Sequence, residues 1–222
     1  MSDWHLTSVT DAFAKAHPEL LSPRIKNPAT ALYDTRLGSL SRIISFALKG
    51  KVADFLTCIK ILSRIENPYE ILDQVTPRGK YVRKRAERLE KEYQEALASA
   101  LATPIHKHVL HYHYKEHTAS ITAELSNELL HRKPRAVILV SRDVEGITRL
   151  SLRIPQGLHD RYGIQGPALL ERAYLGTQGS GGGHPLACGG HIPTEQFPTA
   201  LAQLQDAVLE AFEQKATVTT PQ

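Results

Sequence analysis

Over the first hundred residues, apolar positions recur at spacings of three and four. Between Asp11 and Asn27 short apolar stretches alternate with His17-Pro18 and Ser22-Pro23, which predicts a short helix and then an irregular connector. Leu37, Leu40, Ile44 and Leu48 predict an amphipathic helix ending near Gly50. Val52, Phe55, Leu56, Ile59 and Leu62 line one face of a second helix, expected to pack on the first. Asn67-Pro68 breaks that run ahead of a helical turn at Tyr69 to Leu72. A long helix opens at Thr76-Pro77 and carries the stripe Val82, Ala86, Leu89, Tyr93 and Leu97 to about Ala102.

After Thr103-Pro104 the period changes from helical to alternating. IHKHVLHYHY predicts a strand, followed by a helix from Ser120 to Leu130 and a buried strand from Ala136 to Arg142. A turn at Glu145-Gly146 leads into a strand from Ile147 to Ile154. Beyond Gln156-Gly157 come a helical stretch, PALLERAYLG, the glycine-rich segment GTQGSGGGHPLACGGHIP, in which LACGGHI reads as a strand, and a helix from about Thr194 to Lys215. The expected fold class is α/β: a helical region over 1–102, a small mixed sheet with flanking helices over 103–215, and a tail at 216–222. Parallel and antiparallel pairs should coexist, because Val137 to Val140 and Ile147 to Ile154 are joined by a tight turn.

Apolar residues at 41% and charged residues at 23% predict a globular protein with a real core rather than a disordered chain or a fibre. The net charge is +4, and its location matters more than its size. Residues 1–100 hold 16 Lys and Arg against 12 Asp and Glu, whereas the remainder holds 11 of each. Attraction to a polyanion is therefore expected to be strongest in the first half. Cys58 and Cys188 are far apart and form no CxxC, so neither a disulfide framework nor a zinc knuckle is implied. With no apolar run of membrane length and no leader pattern in MSDWHLTSVTDAF, a soluble, cytoplasmic protein with no membrane partner is expected.

The strongest chemical signal is Gly179-Ser180-Gly181-Gly182-Gly183-His184-Pro185. Glycine lets successive backbone N–H groups point into one concavity, and such a nest binds phosphate oxygens, with Ser180 and His184 as further donors; the alternative is a flexible linker, against which stand the His-Pro and the apolar LACGGHI that follow directly. In the strand Ile147 to Ile154, alternation puts Arg149, Ser151 and Arg153 on one face, which reads equally as a solvated sheet face or as a cationic face for a nucleic-acid backbone.

VILVSRDVEGITRLSLRIPQG followed by GTQGSGGGHPLACGGHIP resembles the C-terminal domain that accompanies DHH-family phosphoesterases, over about residues 103–215. The resemblance implies substrate-phosphate contacts from Gly181, Gly182, Gly183, His184 and Arg153. Where the family often has Ala-Ala-Gly, this chain has Ala187-Cys188-Gly189. The family's catalytic domain coordinates manganese through clustered Asp and His, including a consecutive Asp-His-His. This sequence has no such triplet and no Asp-x-Asp, and Asp3, Asp11, Asp34, Asp54 and Asp73 are isolated. A two-metal hydrolase needs convergent carboxylates. The expectation is therefore a chain without catalytic residues, metal ligands or cofactor.

A helical region joined to such a domain is similar to short archaeal RecJ-like proteins related to cell division cycle protein forty-five. That resemblance implies a non-catalytic DNA replication factor associated with the GINS complex and the MCM replicative helicase, acting as a scaffold, as a single-stranded DNA binder or as both. The alternatives are a DHH-family nanoRNase or single-strand exonuclease with a divergent catalytic region, and a module related to the C-terminal domain of alanyl-tRNA synthetase, which would bind tRNA.

Two further clusters are candidates. Arg78, Lys80, Arg83, Lys84, Arg85 and Arg88 form either a DNA-backbone patch or an ordinary solvated face, since Glu87, Glu90, Glu92 and Glu95 follow. Alternation places His106 and His108 on one strand face and His111 and His113 on the other. With His117 they give no three that converge on a metal, and they read as partly exposed strand residues.

Overall fold

The computed structural model describes residues 6–114 and 119–218. It divides into two compact units, Met1–Gln94 and Glu95–Gln222, so the division falls inside a long helix rather than at its end.

In the first unit the helices are α1 (Ser8–Ala16), α2 (Pro28–Tyr33), α3 (Arg36–Ala47), α4 (Val52–Leu62), α5 (Tyr69–Leu72) and the start of α6 (Pro77–Ala102). Asn27 caps α2 by accepting from the N–H groups of Ala29 and Thr30, and Thr35 caps α3 through Gly38 N–H. The helix predicted from Leu37, Leu40, Ile44 and Leu48 is α3, which Leu48 ends as its C-cap, and α2 is a separate short helix ahead of it. The α6 stripe is buried throughout, from Val82 to Leu97. Glu70 is also buried, and its carboxylate accepts from Glu66 N–H at 2.7 Å and Thr76 Oγ1 at 2.7 Å.

The apolar face of α4 departs from expectation. Val52 and Leu56 are 73% and 51% exposed, and Phe55 and Ile59 are exposed as well. The helix is turned so that Cys58 is buried and Asp54 meets the Arg85 guanidinium at 3.6 Å. Arg85 in turn donates to the backbone carbonyls of Ala47 and Lys49.

In the second unit a five-stranded sheet runs in the order β1 (Val109–Tyr114), β2 (Val137–Val144), β3 (Ile147–Arg153), β5 (Ala187–Pro193), β4 (Ser180–His184). β1 and β2 are parallel and the other pairs antiparallel. The mixed α/β architecture read from the sequence is the one observed. α7 (Thr122–Arg132) connects β1 to β2 and covers one face, where Ser126 Oγ lies 2.9 Å from Ser151 Oγ. α8 (Gln156–Tyr162), α9 (Gly166–Ala173) and α10 (Phe197–Val218) cover the other face, burying Val109, Leu139, Leu150, Leu152 and Ile192 against Leu170, Leu204 and Val208. Among the described residues no helix is long and apolar enough to cross a membrane.

β1 starts later than the alternation suggests. His106 and Val109 close a tight turn, and Lys107 and His108 have positive φ, so His106 and His108 are turn residues rather than one face of the strand. His117 lies outside the described residues.

Candidate phosphate-binding face

The glycine-rich segment is an edge strand, not a nest. β4 pairs antiparallel with β5 around the Pro185-Leu186 turn, so alternate backbone groups are consumed by the ladder instead of converging on one anion. Alternation then sorts the predicted residues. Ser180, Gly182 and His184 share a face with Arg149, Ser151 and Arg153, and Gly181 and Gly183 belong to the opposite one.

Cross-strand register arranges that face in three rows: Arg149, His191 and Ser180; Ser151, Gly189 and Gly182; Arg153, Ala187 and His184. The middle row is bare. A Cβ on Gly182 would meet nothing within 4 Å, and one on Gly189 only the Leu150 carbonyl oxygen at 3.9 Å. α7 covers the sheet as far as Ser151 and leaves the two glycines uncovered, forming the floor of an open cleft of about 490 Å³.

Arg142, Arg149 and Arg153 line this cleft together with Gly182, Gly183 and the start of α7. Arg142 is the cross-strand partner of Arg149, and sequence reading missed it because the register of β2 on β3 was not known. Arg153 is held in place: its Nε donates to Asn127 Oδ1 at 2.7 Å, and Nη1 donates to the carbonyls of Leu152 at 2.9 Å and Cys188 at 3.2 Å. Burial pushes the Cys188 thiol up, against the opposing pull of Arg153. Arg149 is exposed. α7 begins at Thr122 with Ile121 as its N-cap, a residue with no capping side chain, and the start of the helix adds positive dipole to the rim. Three guanidinium groups around a side-chain-free floor suit a phosphate backbone that must come close to the sheet. Ser180, Gly181 and His184 do not line the cleft; Ser180 and His184 stand on the exposed edge strand beside it.

The basic residues of α6 are arranged differently. Arg78 donates to the Arg64 carbonyl, Arg83 pairs with Glu90, and Arg88 with Glu92. With Arg85 bound to Ala47 and Lys49, four of the six side chains serve local structure, and Lys80 and Lys84 stand exposed.

Of the histidines, His111 Nε2 lies 2.8 Å and His113 Nδ1 3.1 Å from Ser141 Oγ, and His113 Nε2 lies 3.4 Å from Asp143 Oδ2. Burial, reinforced by His113, pushes His111 down to about 4. Among the described residues no three His, Cys, Asp or Glu side chains are grouped to hold a metal ion.

Residues 105–210, within the second unit, match the family model described as the DHHA1 domain. Among solved structures, the pGpG-specific phosphodiesterase PggH of Vibrio cholerae is 11% identical, with 89% of this chain and 68% of that chain covered and a TM-score of 0.55. Residues 105–222 alone cannot reach that coverage, so the likeness of fold extends into the helical unit. Manganese-bound RecJ of Thermus thermophilus is 16% identical over 82% of this chain and 32% of that one, with a TM-score of 0.43. The C-Ala domain of Aquifex aeolicus alanyl-tRNA synthetase is 15% identical over 46% of this chain and 90% of the domain, with a TM-score of 0.41. This chain thus spans about a third of the RecJ chain. No curated protein matches the sequence.

Proposed function

We propose that the second unit binds the phosphate backbone of single-stranded nucleic acid across the open glycine floor and that the chain does not cleave it. The observation that carries this reading is the bare row of Gly189 and Gly182 set between the rows of Arg149 and Arg153. Among the described residues no aromatic ring lines the cleft, so the contacts they offer go to phosphate and sugar, and binding is sequence-tolerant and weakened by salt.

In its finer form the reading is a non-catalytic replication factor, a RecJ-like component that associates with the GINS complex and the MCM helicase. It is supported by the joining of a helical unit to a DHH-associated domain in a sequence without an Asp-His-His triplet. A second reading, a short-oligonucleotide phosphodiesterase, draws on the superposition with PggH.

Incubation with manganese and end-labelled single-stranded DNA or a dinucleotide separates the two. Retention of intact substrate is expected, and cleavage that scales with purified protein overturns the non-catalytic reading. Tagged protein recovered from native extract should bring GINS and MCM subunits with it; their absence contradicts the replication role.

A further inference from the structure

On the α8–α10 side of the sheet, opposite the glycine floor, the chain enters β1 through a turn its residues suit poorly. His106 and Val109 exchange both backbone hydrogen bonds at 2.9 Å, and the two residues between them, Lys107 and His108, have φ of 47° and 63°. Two consecutive left-handed residues define the turn that Asn-Gly or Gly-Gly normally fills. Lysine and histidine are strained there, and strain of this kind is retained where the side chains serve another purpose.

The strained turn places the His108 side chain in an aromatic column. Its ring stacks on Phe212 with centroids 3.7 Å apart and planes 2° from parallel, and Phe212 stacks in turn on Tyr162 at 4.0 Å. The Arg161 guanidinium lies 5.3 Å from the Tyr162 centroid, so the column ends in a cation at one end and the exposed imidazole of His108 at the other. These rings wall a cleft of about 620 Å³, a size typical of small-ligand sites. Arg161 and Lys215 supply positive charge to it, and Glu213 supplies one carboxylate.

We propose that this cleft is a nucleotide site separate from the glycine floor, taking a heteroaromatic base against the His108 column and its phosphate at Arg161 and Lys215. Stacking accepts any base, the two cations require an attached anion, and Glu213 can accept from an exocyclic amine. The base and phosphate belong either to a free mononucleotide or to the end of a strand.

The experiment titrates the full chain carrying Arg149→Ala and Arg153→Ala, which silences the glycine floor, with AMP, adenosine and inorganic phosphate, followed by amide NMR. AMP is expected to shift resonances of the 106–109 turn and of α10 saturably, with adenosine and phosphate each about tenfold weaker. His108→Gly relaxes the turn and therefore keeps the fold, and it should weaken AMP about tenfold; Arg161→Ala should erase the preference for AMP over adenosine. A 5′-phosphorylated dinucleotide binding more tightly than AMP identifies a strand end, and weaker binding identifies a free nucleotide. AMP affinity unchanged in both His108→Gly and Arg161→Ala, or shifts confined to residues outside the cleft, overturns the proposal.

Discussion

The two faces of the β4–β5 hairpin are both rich in glycine, and the glycines do opposite things on them. On the α9 side a Cβ at Gly190 would stand 2.2 Å from the Tyr174 hydroxyl, and one at Gly181 would stand 2.6 Å from the Gly189 carbonyl oxygen and 3.1 Å from Leu170. At Gly183, φ is +150° and a Cβ would fall 2.3 Å from the Ala187 carbonyl oxygen. These glycines allow helix and strand to close, and Tyr174 is buried deeply enough that its hydroxyl is pushed up to about 12. On the α7 side Gly182 and Gly189 touch almost nothing. Packing explains the first set and leaves the second without a structural reason, so register rather than glycine content marks the face we propose for binding.

The comparison breaks most readily on the packed side. Gly183→Ala combines a forbidden backbone conformation with a main-chain collision and should cost about 4 kcal/mol in chemical denaturation; a loss near zero would mean the hairpin is not closed as described. The next effect contrasts the sheet's buried α10 side with its open one. A histidine whose folded pKa lies below its unfolded value stabilises the fold above the unfolded value and loses that contribution as pH falls toward the folded one. For His111, held down to about 4, about 3 kcal/mol should therefore disappear between about pH 6.5 and pH 4. His111→Gln should flatten urea midpoints across that window.

On the open side the effects move from stability to affinity. Arg149→Ala should leave the melting temperature unchanged and weaken single-stranded DNA about fivefold, with a salt slope shallower by about 0.7 for one lost phosphate contact. The smallest effect has the sharper sign. Gly182→Ala removes a glycine from a strand interior without any collision, so it should stabilise the protein by about 0.5 kcal/mol while reducing DNA binding.

Much of the fold was legible because its elements are strongly periodic. The α6 stripe, the turn at Tyr69 to Leu72 and the strands around Glu145-Gly146 lie where the pattern puts them. What failed was local. The apolar run Val52 to Ile59 signals a packed face only if the helix is turned inward, and in the fold it is Cys58 rather than that run that faces the interior. GSGGGH lacks every β-forming side chain, so nothing in its composition announces a strand; its pairing with β5 is a non-local fact. The cationic residues Arg149 and Arg153 were readable by alternation, whereas Arg142 needed the register of β2 on β3. His108 was misassigned because its positive φ removes it from the alternation that the neighbouring letters obey.

The most direct test of the open glycine floor is fluorescence anisotropy of a labelled single-stranded oligonucleotide with wild-type protein and Gly182→Val. Valine suits an edge strand, and a Cβ at this position meets nothing within 4 Å, so the fold should hold, and affinity should fall about tenfold at low salt. Equal affinity for the two proteins, with equal salt dependence, would contradict binding on this face.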